Sequence, residues 1–162
     1  MTADAAREGE LRRAILDIGT ECGNLDLLVY SAGFSMAAPI EYTAAGDYRY
    51  LFEVNYFGAV EAMKAALPFL KKRGGRMILI GSMGGELPVP FDAFYSSSKA
   101  ALAMLAREAD MELRSVGVRV SAIPLLSSRQ GEGMPFSAPR AGCFPSASPT
   151  GWCARNSASL KT

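Results

Sequence analysis

Apolar and polar positions alternate along this chain in blocks that predict helix and strand in turn. From residue 3 to about 21, Leu11, Ile15, Leu16 and Ile18 line one side of a helix whose start is crowded by Arg7, Glu8, Glu10, Arg12 and Arg13. Gly23-Asn24 ends it. Leu25 to Tyr30 is then a nearly unbroken apolar run stopped by Ser31-Ala32-Gly33, the pattern of a parallel strand covered by helices on each side. Residues 43–72 read as a long helix with Leu51, Val54, Phe57, Val60, Met63, Ala66, Leu67 and Leu70 at three- and four-residue steps, Pro68 near its end and Gly74-Gly75 beyond it. Arg76 to Ser82 is a second buried strand, and a Met83-Gly84-Gly85 turn follows. Residues 93–115 form another helix, with Ala101, Leu102, Leu105 and Ala106 apolar and Arg107, Glu108, Asp110, Glu112 and Arg114 solvated. Val118 to Ile123 is a third strand. The grammar is that of an α/β fold with a parallel sheet flanked by helices, on three strands at about 26–31, 76–82 and 118–123.

After Pro124 the pattern stops. Five of the nine prolines, at 124, 135, 139, 145 and 149, stand among serines with no hydrophobic period. We expect two parts: an ordered domain over 1–124 and an irregular Pro/Ser-rich tail over 125–162.

Composition narrows the chemistry. The 162 residues suffice for one core, and a net charge of +1 points to neither nucleic acid nor an anionic membrane. There is no histidine, which removes histidine triads, histidine metal sites and a histidine pH switch. Cys22, Cys143 and Cys153 have no metal-type spacing and read as reduced thiols, so a cytoplasmic location is expected. No apolar run has the ~18 residues of a membrane helix, and the acidic start Met1-Thr2-Ala3-Asp4 does not read as a secretion signal.

Tyr95-Ser96-Ser97-Ser98-Lys99 opens a predicted helix, so Tyr95 and Lys99 share a face. A phenol is a poor base at neutral pH, and a fixed cation nearby favours its phenolate, which makes a proton shuttle. The same spacing also fits a surface pair. Ser82 stands at the carboxyl end of a parallel strand, where open α/β sheets place ligands, and its hydroxyl can donate to a carbonyl oxygen held beside Tyr95. Asn55 lies inside a helix, where asparagine is unfavourable, so either a functional role or a satisfied structural amide accounts for it. Gly58 allows close backbone approach there.

Together these features resemble the short-chain dehydrogenase/reductases. The matching pieces are Ser31-Ala32-Gly33 after a strand, Val54-Asn55, Ile80-Gly81-Ser82, Tyr95 and Lys99 with Ser98 between them, and Val118-Arg119-Val120, at agreeing mutual spacings from about Leu25 to Ile123. The resemblance implies a Rossmann-like fold and an NAD- or NADP-dependent oxidoreductase that interconverts a ketone or aldehyde and an alcohol, with no metal. It implies that Tyr95 moves the proton and that Lys99 favours the phenolate and holds the nicotinamide ribose. Ser82 would polarise the carbonyl, and Asn55 would hold a water linking Lys99 to solvent. Ser31, Ala32, Gly33, Tyr95, Lys99 and Pro124 would border the cofactor. It further implies a small-molecule partner, lipophilic from Phe34, Met36, Pro88, Val89 and Phe91, and self-association through helices 43–72 and 93–115.

The sequence also departs from that pattern. No Gly-rich turn between a first strand and helix is present. Gly81, Gly84 and Gly85 follow the wrong strand, and Gly131-Glu132-Gly133 lies in the Pro-rich tail. The residue choosing NAD over NADP is absent with that turn. Ser31 stands where the family has asparagine, and Pro124 is not followed by glycine. The expectation is a truncated or misread gene, with an exposed sheet edge and marginal stability. The alternative to an enzyme is an inactive remnant acting as a dimerisation module.

Overall fold

A computed structural model describes residues 2–125. Three strands, β1 (Leu27–Tyr30), β2 (Arg76–Ile80) and β3 (Arg119–Ile123), form one parallel sheet in the order β1-β2-β3. The helices between them are α1 (Glu10–Cys22) before β1, α2 (Ala45–Phe52) and α3 (Gly58–Leu70) between β1 and β2, and α4 (Ala93–Leu113) between β2 and β3. The incomplete α/β fold expected from the sequence is therefore present, each strand within a residue or two of its predicted bounds. The Pro/Ser-rich segment, with Cys143, Trp152 and Cys153, lies outside the described residues.

Register explains the core. Leu28, Met77 and Val120 stand side by side, as do Tyr30, Leu79 and Ala122, and this face packs on α3 and α4. Leu70, Met77, Leu79, Leu102 and Val118 are fully enclosed, each contributing about 1.5–3 kcal/mol by burial. α1 packs on α3 through Leu11 and Ile15.

The other face differs from expectation. Among the described residues no helix covers it, and Leu27 and Val29 are 52% and 50% exposed, with Ile123 open on the same face across β2. The apolar run of β1 is two-faced, but the described helices bury only its Leu28 and Tyr30 side.

Local departures have local causes. The first helix begins at Glu10 rather than near residue 3. Asp4 instead folds a turn by accepting Ala6 N–H, while Gly9 takes up a left-handed conformation and donates to Glu61 Oε1 at 2.9 Å. Ile18 is exposed although it was expected on the buried side. The long helix predicted over 43–72 is interrupted by a π turn at Glu53–Phe57, in which Gly58 N–H bonds to Glu53 O. That wider turn displaces the apolar stripe, and Phe57 is half exposed. Asp110, expected among the solvated residues of α4, is buried. It accepts from Arg114, Arg119 and the backbone N–H of Val120, joining α4 to the outer side of β3.

Candidate active site

Parallel strands put their carboxyl ends on one side of the sheet, and there the chain leaves β1 at Ser31-Ala32-Gly33, β2 at Gly81-Ser82 and β3 at Pro124. Gly81 N–H bonds to Ile123 O at 2.9 Å, so Pro124 runs beside Gly81. Ser31, Ala32, Gly33 and Pro124 are all exposed on this rim.

Asn55 enters from the π turn. It is fully buried, and its amide is closely employed: Phe34 N–H donates to Oδ1 at 3.0 Å, while Nδ2 donates to Phe34 O and to Ser98 Oγ, both at 3.0 Å. The satisfied structural amide, one of the two readings of this residue, is therefore present. A π turn adds a residue to one turn of the helix, which is where such a residue is tolerated. Ser98 passes the link on by donating to Tyr95 O at 2.7 Å. The sequence marked Ser98 only as the neighbour of Lys99. A serine inside a helix, able to bond back one turn, was the available signal.

Lys99 is buried and donates to Ile80 O at 2.9 Å, with its ammonium 6.0 Å from the centroid of the Tyr95 ring. Burial lowers its pKa from the ordinary lysine value. One of its three N–H groups is used by Ile80, which leaves two for a ligand. Ser82 Oγ accepts from Gly84 N–H at 3.1 Å, so its own hydrogen is free to donate.

Two glycines reveal how these groups converge. A methyl on Gly33 would stand 3.1 Å from both Asn55 Oδ1 and Lys99 Nζ. A methyl on Gly84 would stand 3.5 Å from Ser82 Oγ and 3.6 Å from the Tyr95 ring, with Ser96 Oγ at 3.4 Å. The four predicted residues therefore flank two glycines in pairs, Asn55 with Lys99 at Gly33 and Ser82 with Tyr95 at Gly84, and one helix carries both Tyr95 and Lys99. Asp92, just before that helix, has a buried Oδ1 without a partner among the described residues, and burial raises its pKa. A separate groove of about 880 Å³, lined by Arg7, Arg12, Glu53, Glu61 and Lys64, touches none of these four.

The mouth of the site is apolar. The loops 31–39 and 83–91 carry a single charged residue, Glu86, which faces Arg107 at 3.7 Å. Phe34 packs on Tyr50 and Tyr48 stacks on Phe94, while Leu87 and Phe91 are exposed. Among the described residues no helix is long and apolar enough to cross a membrane.

The nicotinamide end of a dinucleotide fits these residues, since Gly33 keeps clear the space before Lys99 and two N–H groups remain there. Among the described residues no glycine-rich strand-to-helix turn offers a cradle for the pyrophosphate.

Comparison with known proteins shows similarity over the described residues. The family description "short chain dehydrogenase" matches residues 1–125. The 11-beta-hydroxysteroid dehydrogenase type 2 of Oryctolagus cuniculus is 42% identical over 97 residues, 59% of this chain and 24% of that protein. The 3-ketodihydrosphingosine reductase of Bacteroides thetaiotaomicron is 30% identical over 121 residues, 74% of this chain and 45% of that one. The active-site complex of Pseudomonas aeruginosa RhlG with NADP superposes with a TM-score of 0.72 at 28% identity, covering 76% of this chain and 51% of the other. The chain thus spans about half the length, or less, of these relatives.

Proposed function

The chain belongs to the short-chain dehydrogenase family, and from that membership we propose that it interconverts a ketone or aldehyde with an alcohol, with Tyr95 as acid and base. The observation that carries this reading is the meeting of Ser82 Oγ and the Tyr95 ring around Gly84. Ser31, Ala32, Gly33, Lys99 and Pro124 would hold NAD or NADP, which would supply or accept the hydride.

During reduction the proton on Tyr95 Oη passes to the carbonyl oxygen, which the free Ser82 O–H holds and polarises. In the other direction Tyr95 takes that proton from the alcohol. The Lys99 ammonium keeps two N–H groups for ribose hydroxyls. Asn55 Oδ1 retains a lone pair and, with Lys99 Nζ, is placed to hold a water that returns protons from solvent.

The aromatic mouth, whose two loops carry Glu86 as their single charge, supports a lipophilic substrate of steroid-like or long-chain kind, as do relatives named for hydroxysteroids and for a sphingoid ketone. The exposed Phe57, Met104 and Met111 support self-association through helices 43–72 and 93–115. The exposed free thiol of Cys22 suits the reducing cytoplasm.

Titration with NADH and NADPH, followed by nicotinamide fluorescence, tests the proposal. Saturable binding of either, with turnover of a lipophilic ketone, is expected. Silence from both would refute catalysis by this chain and leave the remnant as its description.

A further inference from the structure

Phe91 is the one non-glycine residue among those described with a positive φ, at 69°. L side chains crowd the backbone in that left-handed region, and a phenylalanine gains nothing there that a glycine or asparagine would not. The backbone around it is fixed on two sides. Ala38 N–H donates to Phe91 O at 2.7 Å, latching the loop after β1 to the segment before α4. Asp92 N–H bonds to Val89 O at 3.2 Å, and Asp92 O receives Ser96 N–H at 2.7 Å in the first turn of the helix that carries Tyr95. The ring is 51% exposed and forms no aromatic pair among the described residues. The latch accounts for the backbone but a glycine would form it equally well, so the half-exposed ring directs attention to what it meets from outside.

We propose that Phe91 is a specificity-determining residue: the Ala38 latch holds its ring as one wall of the entrance to Tyr95 and Ser82, where it packs on an apolar substrate. Phe34 stands on the loop to which Phe91 is latched, and Leu87 and Val89 precede it on its own loop, so the two loops it joins are rich in apolar side chains. This inference rests on the reading of the site as one for lipophilic carbonyls and alcohols.

The experiment compares wild type, Phe91→Gly and Phe91→Tyr on the full chain. It measures thermal midpoints and, by equilibrium dialysis with NADPH present, binding of corticosterone as a lipophilic hydroxysteroid probe. Phe91→Gly should raise the midpoint, because glycine accepts the backbone without strain, yet bind the probe about tenfold or more weakly, as loss of a packed aromatic requires. Phe91→Tyr keeps ring and strain and should match wild type in both. A raised midpoint with unchanged probe affinity in Phe91→Gly would reduce Phe91 to a strained turn and overturn the proposal. A lowered midpoint would overturn the strain argument on which it stands. Absence of probe binding by wild type, alongside normal NADPH binding, would refute the lipophilic-substrate reading itself and this inference with it.

Discussion

The side-chain amide of Asn55 donates to Ser98 Oγ at 3.0 Å, and through that contact the π turn and the helix bearing Tyr95 and Lys99 are held together. Ser98 is enclosed completely and completes the chain by donating to Tyr95 O. Ser98→Ala leaves one Asn55 N–H without its partner in a buried setting, at a cost of about 1–3 kcal/mol. Urea unfolding should report that loss, and the Ser98→Ala, Asn55→Ala double variant should lose less than the sum of the single changes. Strict additivity would show that the two side chains act independently.

Tyr95→Phe removes the proton that the proposed reaction moves while leaving the ring in place. Turnover should fall by about a hundredfold or more, with affinity for NADH or NADPH retained. Turnover at wild-type level would remove Tyr95 from the chemistry.

Asp110 gives the fold a weakness toward acid. Its hydrogen bonds to Arg119, to Val120 N–H and to Arg114 hold the carboxyl far below the usual carboxylate range. A group depressed in the folded state stabilises above its unfolded value, near ~3.9, and that contribution disappears as pH falls below it. The unfolding midpoint of wild type should therefore drop as pH is lowered through about 4, and Asp110→Asn should flatten that limb. Parallel acid limbs in the two proteins would be evidence against the linkage.

Tyr30 supplies the alkaline counterpart. Its phenol donates to Val54 O at 2.5 Å, beneath Gly58, where a methyl would clash with the hydroxyl. Burial, helped by Glu61, pushes its pKa up to about 12. A raised folded value means stability that is full below the unfolded value near ~10 and is lost as pH rises toward about 12. Tyr30→Phe should cost about 1 kcal/mol at neutral pH and narrow its deficit against wild type above pH ~10. Measured across that range, a constant difference would contradict the shift.

The bare face of the sheet predicts poor colloidal behaviour. Leu27 and Val29 lie there on an edge strand, outside the core formed by Leu28 and Tyr30. Leu27→Lys with Val29→Lys should reduce light scattering on concentration and change unfolding stability by no more than about 0.5 kcal/mol per site. Unchanged scattering would place the cause of any aggregation elsewhere.

Much of this architecture was legible because its signals are local. Leu27–Tyr30, Arg76–Ile80 and Arg119–Ile123 are largely apolar runs bounded by glycine or proline, and Tyr95, Lys99 and Ser82 follow from strand end and helix spacing. The rest depends on distant partners. Asp110 reads as one more polar residue on a helix until Arg119 and Val120 are brought to it by β3. Phe91 is forced left-handed in a segment latched by Ala38, fifty-odd positions earlier, and no composition announces that. The π turn left one trace, an asparagine where a helix should not want one.

That turn makes the segment from Ala45 to Leu70 two helices joined out of phase. Each residue of an α-helix advances the side chains by about 100°, so one surplus residue resets which side of α3 faces the sheet. A deletion of a single residue within 53–57 would restore a regular spiral with no change in polarity or charge balance large enough to notice. It would also swing either Asn55 or the whole Ala59, Ala62, Ala66 stripe about a quarter turn from its present direction. The helix could then serve the core or the site, and not both. Beyond the identity of Asn55, length is what this stretch of chain cannot vary.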